Sequence, residues 1–271
     1  MNLDNFFCTN EAELPLDRPV TDGGFCGILR NVACIGDSLS SGTFETVDSD
    51  GIHHYMDHFD HSWGQFFARI SGNVVQNFSR GGMSARDYDA FAEEMGYWDP
   101  EKAAFAYILA LGVNDYDQMD RGEIEFGSLS DIDWNDWRGN RPTFVGYYGR
   151  ILQRYREISP KSRLFLMTLP RETRYWDEKR IAFTEKHREL LYQIAEKLEF
   201  TYVIDLYQYA VEYDQAFAQR FYLNNHLSPM GYLLTAKMVA SYIDYIIRHN
   251  PEDFAQLPLI HGTIHDEKYK W

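Results

Sequence analysis

Four residues spread along most of the chain have the types needed for acyl transfer: Ser38, Gly82, Asn114 and His226. A serine hydroxyl is a weak nucleophile until an adjacent base takes its proton, and histidine has the right basicity for that near neutral pH. The oxyanion that follows needs donors already in place. The Ser38 and Gly82 backbone N–H groups and the Asn114 amide meet that need. Glycine lets its N–H point into a site with no side chain in the way, and an asparagine amide donates at every pH. Ser38 is therefore the candidate nucleophile, His226 the candidate base, and Ser38, Gly82 and Asn114 the candidate oxyanion donors.

These residues need a scaffold that brings distant positions together, and the sequence supplies one. Residues 32–35 form a short apolar run that enters the Gly36-Asp37-Ser38-Leu39 turn and then small residues able to open a helix. Residues 73–77 (NVVQN) lead to Gly81-Gly82, and the continuous apolar run 103–111 (AAFAYILAL) ends in Gly112-Val113-Asn114-Asp115. Ser38, Gly82 and Asn114 thus each follow the end of a strand, and His226 lies in the loop 221–231 before the last helix. Ligands of open α/β sheets bind at the edge where the strands end. Further strands are expected over 163–168 and 201–206, with helices over 63–70, from Ser84 onward, and over 144–158, 177–198, 207–220 and 232–249. Five strands alternating with helices predict one parallel sheet covered on both faces. No repeat, low-complexity tract or linker interrupts the chain, so a single domain over 1–271 is expected. Residues 1–30 read as an irregular lead-in packed outside the sheet. Residues 45–61 and 116–141 read as loops, and the tail 251–271 has no clear period.

The chain has 271 residues, 45% hydrophobic and 25% charged, and a formal net charge of −15. That charge opposes binding to nucleic acid or an anionic membrane surface. With neither a leader-like start nor an apolar run of bilayer length, a cytoplasmic address is expected. The cysteines, Cys8, Cys26 and Cys34, are too few for a disulfide framework and read as reduced packing residues. His53, His54, His58 and His61 cluster with Asp57 and Asp60, but their spacing matches no zinc motif, and no metal is assigned. Trp134, Trp137, Tyr147, Tyr148 and Trp176 can form either a sugar-stacking rim or core, and core is favoured because aromatics are 16% of the chain.

Taken in order, G-D-S-L at 36–39, N-x-x-x-G-G at 77–82, G-x-N-D at 112–115 and the His226 block resemble the SGNH (GDSL) hydrolase family over roughly residues 31–248. The resemblance implies a flavodoxin-like three-layer α/β/α fold. It also implies hydrolysis of esters or thioesters, often acetyl groups on carbohydrates, without a cofactor. Residue by residue, it implies Ser38 as nucleophile, Gly82 and Asn114 as oxyanion donors beside Ser38, and His226 as base. The pattern breaks at the family's acid, three residues before the histidine, where this chain has Leu223, followed by Asn224 and Asn225. The expectation is a Ser-His dyad whose His226 Nδ1 faces the Leu223 carbonyl or one beside it. Asp205 is the competing carboxylate, although a helix-capping role suits it better, and Asp37 is expected to bond turn N–H groups. Two functions follow. One is a serine esterase acting on a small acyl ester, acetyl first, of a small molecule or carbohydrate. The other is a non-catalytic carbohydrate- or ligand-binding domain on the same fold. The oligomeric state stays open.

Overall fold

The computed structural model describes Phe7, Asn10 and residues 12–174 and 177–255. A 3-10 turn, Gly24–Leu29, leads into β1 (Asn31–Gly36), the single-turn α1 (Ser38–Ser41), β2 (Thr43–Val47) and β3 (His53–Asp57). Next come α2 (Trp63–Ser71), β4 (Val74–Ser79), α3 (Ala85–Glu94), β5 (Ala106–Ala110), α4 (Val113–Asp120) and α5 (Phe144–Ile158). The chain continues through β6 (Arg163–Met167), α6 (Glu178–Ala195), β7 (Thr201–Ile204), α7 (Leu206–Tyr209) and α8 (Gln215–Phe221). It closes with β8 (Tyr222–Leu223), β9 (His226–Leu227), α9 (Pro229–His249) and α10 (Pro251–Phe254).

Five parallel strands pair in the order β4-β1-β5-β6-β7, the arrangement expected of a flavodoxin-like three-layer fold. Side chains alternate across a strand, so burial on both sides sends odd and even positions into different cores. Ala33, Ile35, Tyr107, Leu109, Leu164 and Leu166 meet α3, α5 and α6 through residues such as Tyr88, Tyr148 and Leu191. Val32, Cys34, Ile108 and Phe165 meet the other layer, where α2 and α9 contribute Trp63, Phe67, Val239 and Ile243. Cys26 and Cys34 are buried and free, and Cys8 lies outside the described residues. The 3-10 turn of the lead-in packs on α9 and α2, outside the sheet. No helix among the described residues is long and apolar enough to cross a membrane.

The register positions the site. Gly36 pairs with Ser79 on one side and with Ala110 on the other, so three strands end level. The residues that follow, Ser38, Gly82 and Asn114, therefore leave the same edge side by side. Gly36 is required there, because a Cβ would lie 2.2 Å from Ser40 Oγ.

Three segments differ from expectation. Residues 45–61 are not a loop: β2 and β3 form an antiparallel hairpin closed by Asp48, whose carboxylate accepts the Asp50 and Ile52 N–H groups. The stretch from 116 begins inside α4 and becomes irregular only afterwards, with 3-10 turns at Leu129–Asp131 and Trp137–Gly139. Residues 207–220 divide into α7 and α8, and α9 starts at Pro229, where the Ser228 hydroxyl accepts the Gly231 N–H.

Candidate active site

Ser38 is the first residue of α1, held by Asp37, whose buried carboxylate accepts the Leu39 N–H at 3.0 Å. Asp37 thus has the turn-bonding role expected of it. Burial pushes its pKa up to about 7 against the opposing Leu39 bond.

Gly82 adopts φ +76°, which favours glycine, and stands on the turn beside the cleft rather than in its wall. Asp57 steadies this turn, accepting the Gly81 N–H at 3.4 Å and the Thr43 hydroxyl. The β2–β3 hairpin is thereby fastened to the neighbouring turn.

Asn114 follows Gly112, whose φ of +143° turns the chain sharply from β5 into α4 over the buried His187. Its amide nitrogen donates to Met83 O at 3.0 Å, which uses one of two N–H groups. Asp115 adds a second tie to the same segment by accepting the Ala85 N–H at 2.8 Å. Burial raises Asp115 to about 7. The turns bearing Gly82 and Asn114 are thus bonded to each other twice.

His226 opens β9, and its Nδ1 is not turned to a backbone carbonyl. It donates to Glu45 Oε2 at 2.9 Å, which overturns the expected Leu223 carbonyl and the dyad built on it. The reason lies in the hairpin that sequence reading took for a loop. β2 carries Glu45 alongside β8–β9, where the Asn224 amide donates to Glu45 O at 3.0 Å and the Asn225 N–H donates to Oε2 at 2.9 Å. Leu223 pairs with His226 across the turn and is exposed. Asp205 is committed elsewhere: it caps α7 and accepts from Arg188 Nε at 2.6 Å and Tyr192 Oη at 2.9 Å.

Glu45 is the candidate site residue missed from sequence. Burial alone would raise its pKa, but hydrogen bonds from His226, His53 and the Asn225 N–H outweigh it and lower the carboxyl to about 2. An ionised carboxylate only accepts, so both Nδ1 atoms facing it carry protons. His226 Nε2 is then the ring's basic nitrogen. One signal for the hairpin is present in the sequence, since Asp50-Gly51 is a dipeptide favoured in hairpin turns.

Ser38, Asn114 and His226 line one cleft of about 700 Å³, whose far wall is built from residues 169–174 and the first turns of α6. Among the expected aromatics, Tyr148 is core, and Trp137 packs against Arg138, Arg150 and Arg154 away from the cleft. Trp176 lies outside the described residues. His53 and His54 pair with Glu45 and Asp48.

A parallel sheet with this strand order, a serine at its carboxyl edge and a histidine backed by a buried carboxylate define a three-layer α/β/α serine ester hydrolase. The chain belongs to the GDSL-like lipase/acylhydrolase family, whose model matches residues 34–234. No curated protein matches it. Among solved structures, it resembles a family two carbohydrate esterase from Clostridium thermocellum in complex with cellohexaose, at 16% identity and a TM-score of 0.56. That match covers 83% of this chain, which spans 65% of the other's length. It also resembles a possible lipase from Chitinophaga pinensis at 17% identity and a TM-score of 0.56, over 82% of this chain and 98% of that one. A Clostridium thermocellum family 3 carbohydrate esterase matches at 15% identity and a TM-score of 0.51, over 81% and 97% of the two chains. At such identities the likeness shows the fold.

Proposed function

We propose that the protein hydrolyses a short acyl ester, acetyl in the first instance, on a carbohydrate, through a Ser38-His226-Glu45 triad. The observation that carries this is the Glu45 carboxylate on His226 Nδ1, in a cleft that Ser38 shares. Ser38 Oγ attacks the acyl carbon while His226 Nε2 takes its proton. Glu45 stabilises the imidazolium without taking the proton itself. The oxyanion is bound by the Ser38 N–H and by the second N–H of Asn114, with the Gly82 N–H offered from the adjoining turn. Collapse breaks the ester C–O bond, and His226 returns the proton to the leaving alkoxide. Water then repeats the sequence on the acyl-enzyme, releasing the acid and restoring Ser38.

Arg171, Glu172, Arg180, Glu185 and Tyr207 in the cleft wall offer donors and acceptors to a polyhydroxy alcohol, beside the apolar Leu39, Leu169, Pro170 and Ile181. The neighbouring carbohydrate esterases support the same alcohol class. The non-catalytic alternative drew on the missing acid at position 223, and Glu45 takes that argument away. Release of acetate from acetylated xylo- or cello-oligosaccharides tests the assignment, with 4-nitrophenyl acetate as a simple substrate and Ser38→Ala as control. Activity equal in Ser38→Ala and wild type would refute it.

A further inference from the structure

Glu45 holds two imidazoles, one on each oxygen. His226 Nδ1 donates to Oε2 at 2.9 Å, and His53 Nδ1 donates to Oε1 at 2.5 Å. Acyl transfer uses one histidine, and the proposed mechanism leaves the other without a role. We infer that His53 is a positioning residue, which fixes the Glu45 carboxylate so that Oε2 faces His226. This rests on reading Ser38, His226 and Glu45 as the catalytic unit.

The geometry of the hairpin supports it. Glu45 pairs directly with Tyr55, and Val47 pairs with His53, so Glu45, Val47, Tyr55 and His53 share one face and His53 is the diagonal neighbour of Glu45. A carboxylate's terminal torsion is broad, and a bond to one oxygen leaves the other free to swing. Oε2 receives both His226 and the Asn225 N–H, whereas Oε1 receives His53 and only a long contact, 3.4 Å, from Asn225 Nδ2. Without His53, a fully buried carboxylate oxygen would lack a close donor. Tyr55 completes the enclosure, its ring stacked with His53 at 6.4 Å and edge-on to His226 at 5.6 Å.

The two partners of Glu45 differ in access to solvent. The His53 side chain is 46% exposed, that of His226 16% and that of Glu45 0%. Removing His53 takes the close donor from Oε1, and kcat falls because Glu45 is less well oriented.

The test is the steady-state hydrolysis of 4-nitrophenyl acetate by wild type, His53→Leu, His53→Gln and Glu45→Gln, each checked for native near-UV circular dichroism. His53→Leu is expected to lose about tenfold in kcat with KM unchanged, the cost of a modest loss of orientation. His53→Gln, which keeps a donor, is expected to recover most of kcat. A folded His53→Leu enzyme with the wild-type kcat overturns the inference. Wild-type activity in Glu45→Gln overturns instead the reading on which it rests. Should His53→Leu not fold, 15N resonances of the wild-type imidazoles decide: a proton on His53 Nδ1 is expected, and an unprotonated His53 Nδ1 overturns the inference.

Discussion

Glu45 and His226 are 181 positions apart in the chain and 2.9 Å apart in space. The carboxylate on the candidate base comes from the hairpin just after the candidate nucleophile Ser38, not from the loop that bears His226. Since ionised Glu45 only accepts, it enforces the Nδ1–H tautomer of His226.

The two reacting groups are expected to act as a unit. A hydroxyl gains little from a base that is absent, and a base gains nothing without its hydroxyl. Ser38→Ala, His226→Ala and the double variant should therefore lose nearly the same factor in kcat. Steady-state rates on 4-nitrophenyl acetate check this, and multiplicative losses would mean that the two do not cooperate.

Asn114 should act on the transition state. Removing one oxyanion donor typically costs roughly 10² to 10³ in kcat, so Asn114→Ala is expected to lose that much with KM little changed. Its Met83 contact predicts a further loss in positioning of the Gly82 turn. A rise in KM alone would assign Asn114 to substrate binding.

Acid stability should carry the signature of Glu45. Its ordinary carboxyl value is 4.5, and the fold lowers it to about 2. A depressed acid contributes stability fully above its unfolded value and loses it as pH falls toward the folded one. Wild-type Tm should thus drop between about pH 4.5 and 2, and Glu45→Gln should show a flatter profile across that window.

Asp115 should behave in the opposite sense. Burial raises it from 3.8 to about 7, so the folded state keeps a proton that the unfolded chain has lost between these values. Stability falls as pH rises through that window. Asp115→Asn, which retains an acceptor for the Ala85 N–H, should flatten this fall in thermal melts.

The parallel sheet was legible because its strands are short apolar runs, each ended by a turn rich in glycine or polar residues, and burial on both faces removes any ambiguity of side. Ser38, Gly82 and Asn114 stand out in the sequence as candidates because residue type and strand end coincide, and His226 because it is a histidine in the loop before the last helix. Glu45 does not stand out. β3 is exposed along its length, so the hairpin lacks the apolar alternation that marks a strand, and its histidines and aspartates read as loop. Nor does any local pattern connect Glu45 with His226, because the contact depends on how β2 lies against β8–β9. Leu223 was read correctly as no acid, but the inference that none replaced it required knowing that packing.

In the proposed triad Glu45 is the group that makes His226 a base, and kcat of Glu45→Gln on 4-nitrophenyl acetate measures this directly. In a Ser-His-Asp enzyme, replacing the acid by its amide costs about 10⁴ in kcat, largely through the wrong tautomer. A loss of roughly 10² to 10⁴ in a natively folded Glu45→Gln enzyme is the result expected. Wild-type kcat in that enzyme, with Ser38→Ala inactive, would contradict the triad and return His226 to a base that needs no carboxylate.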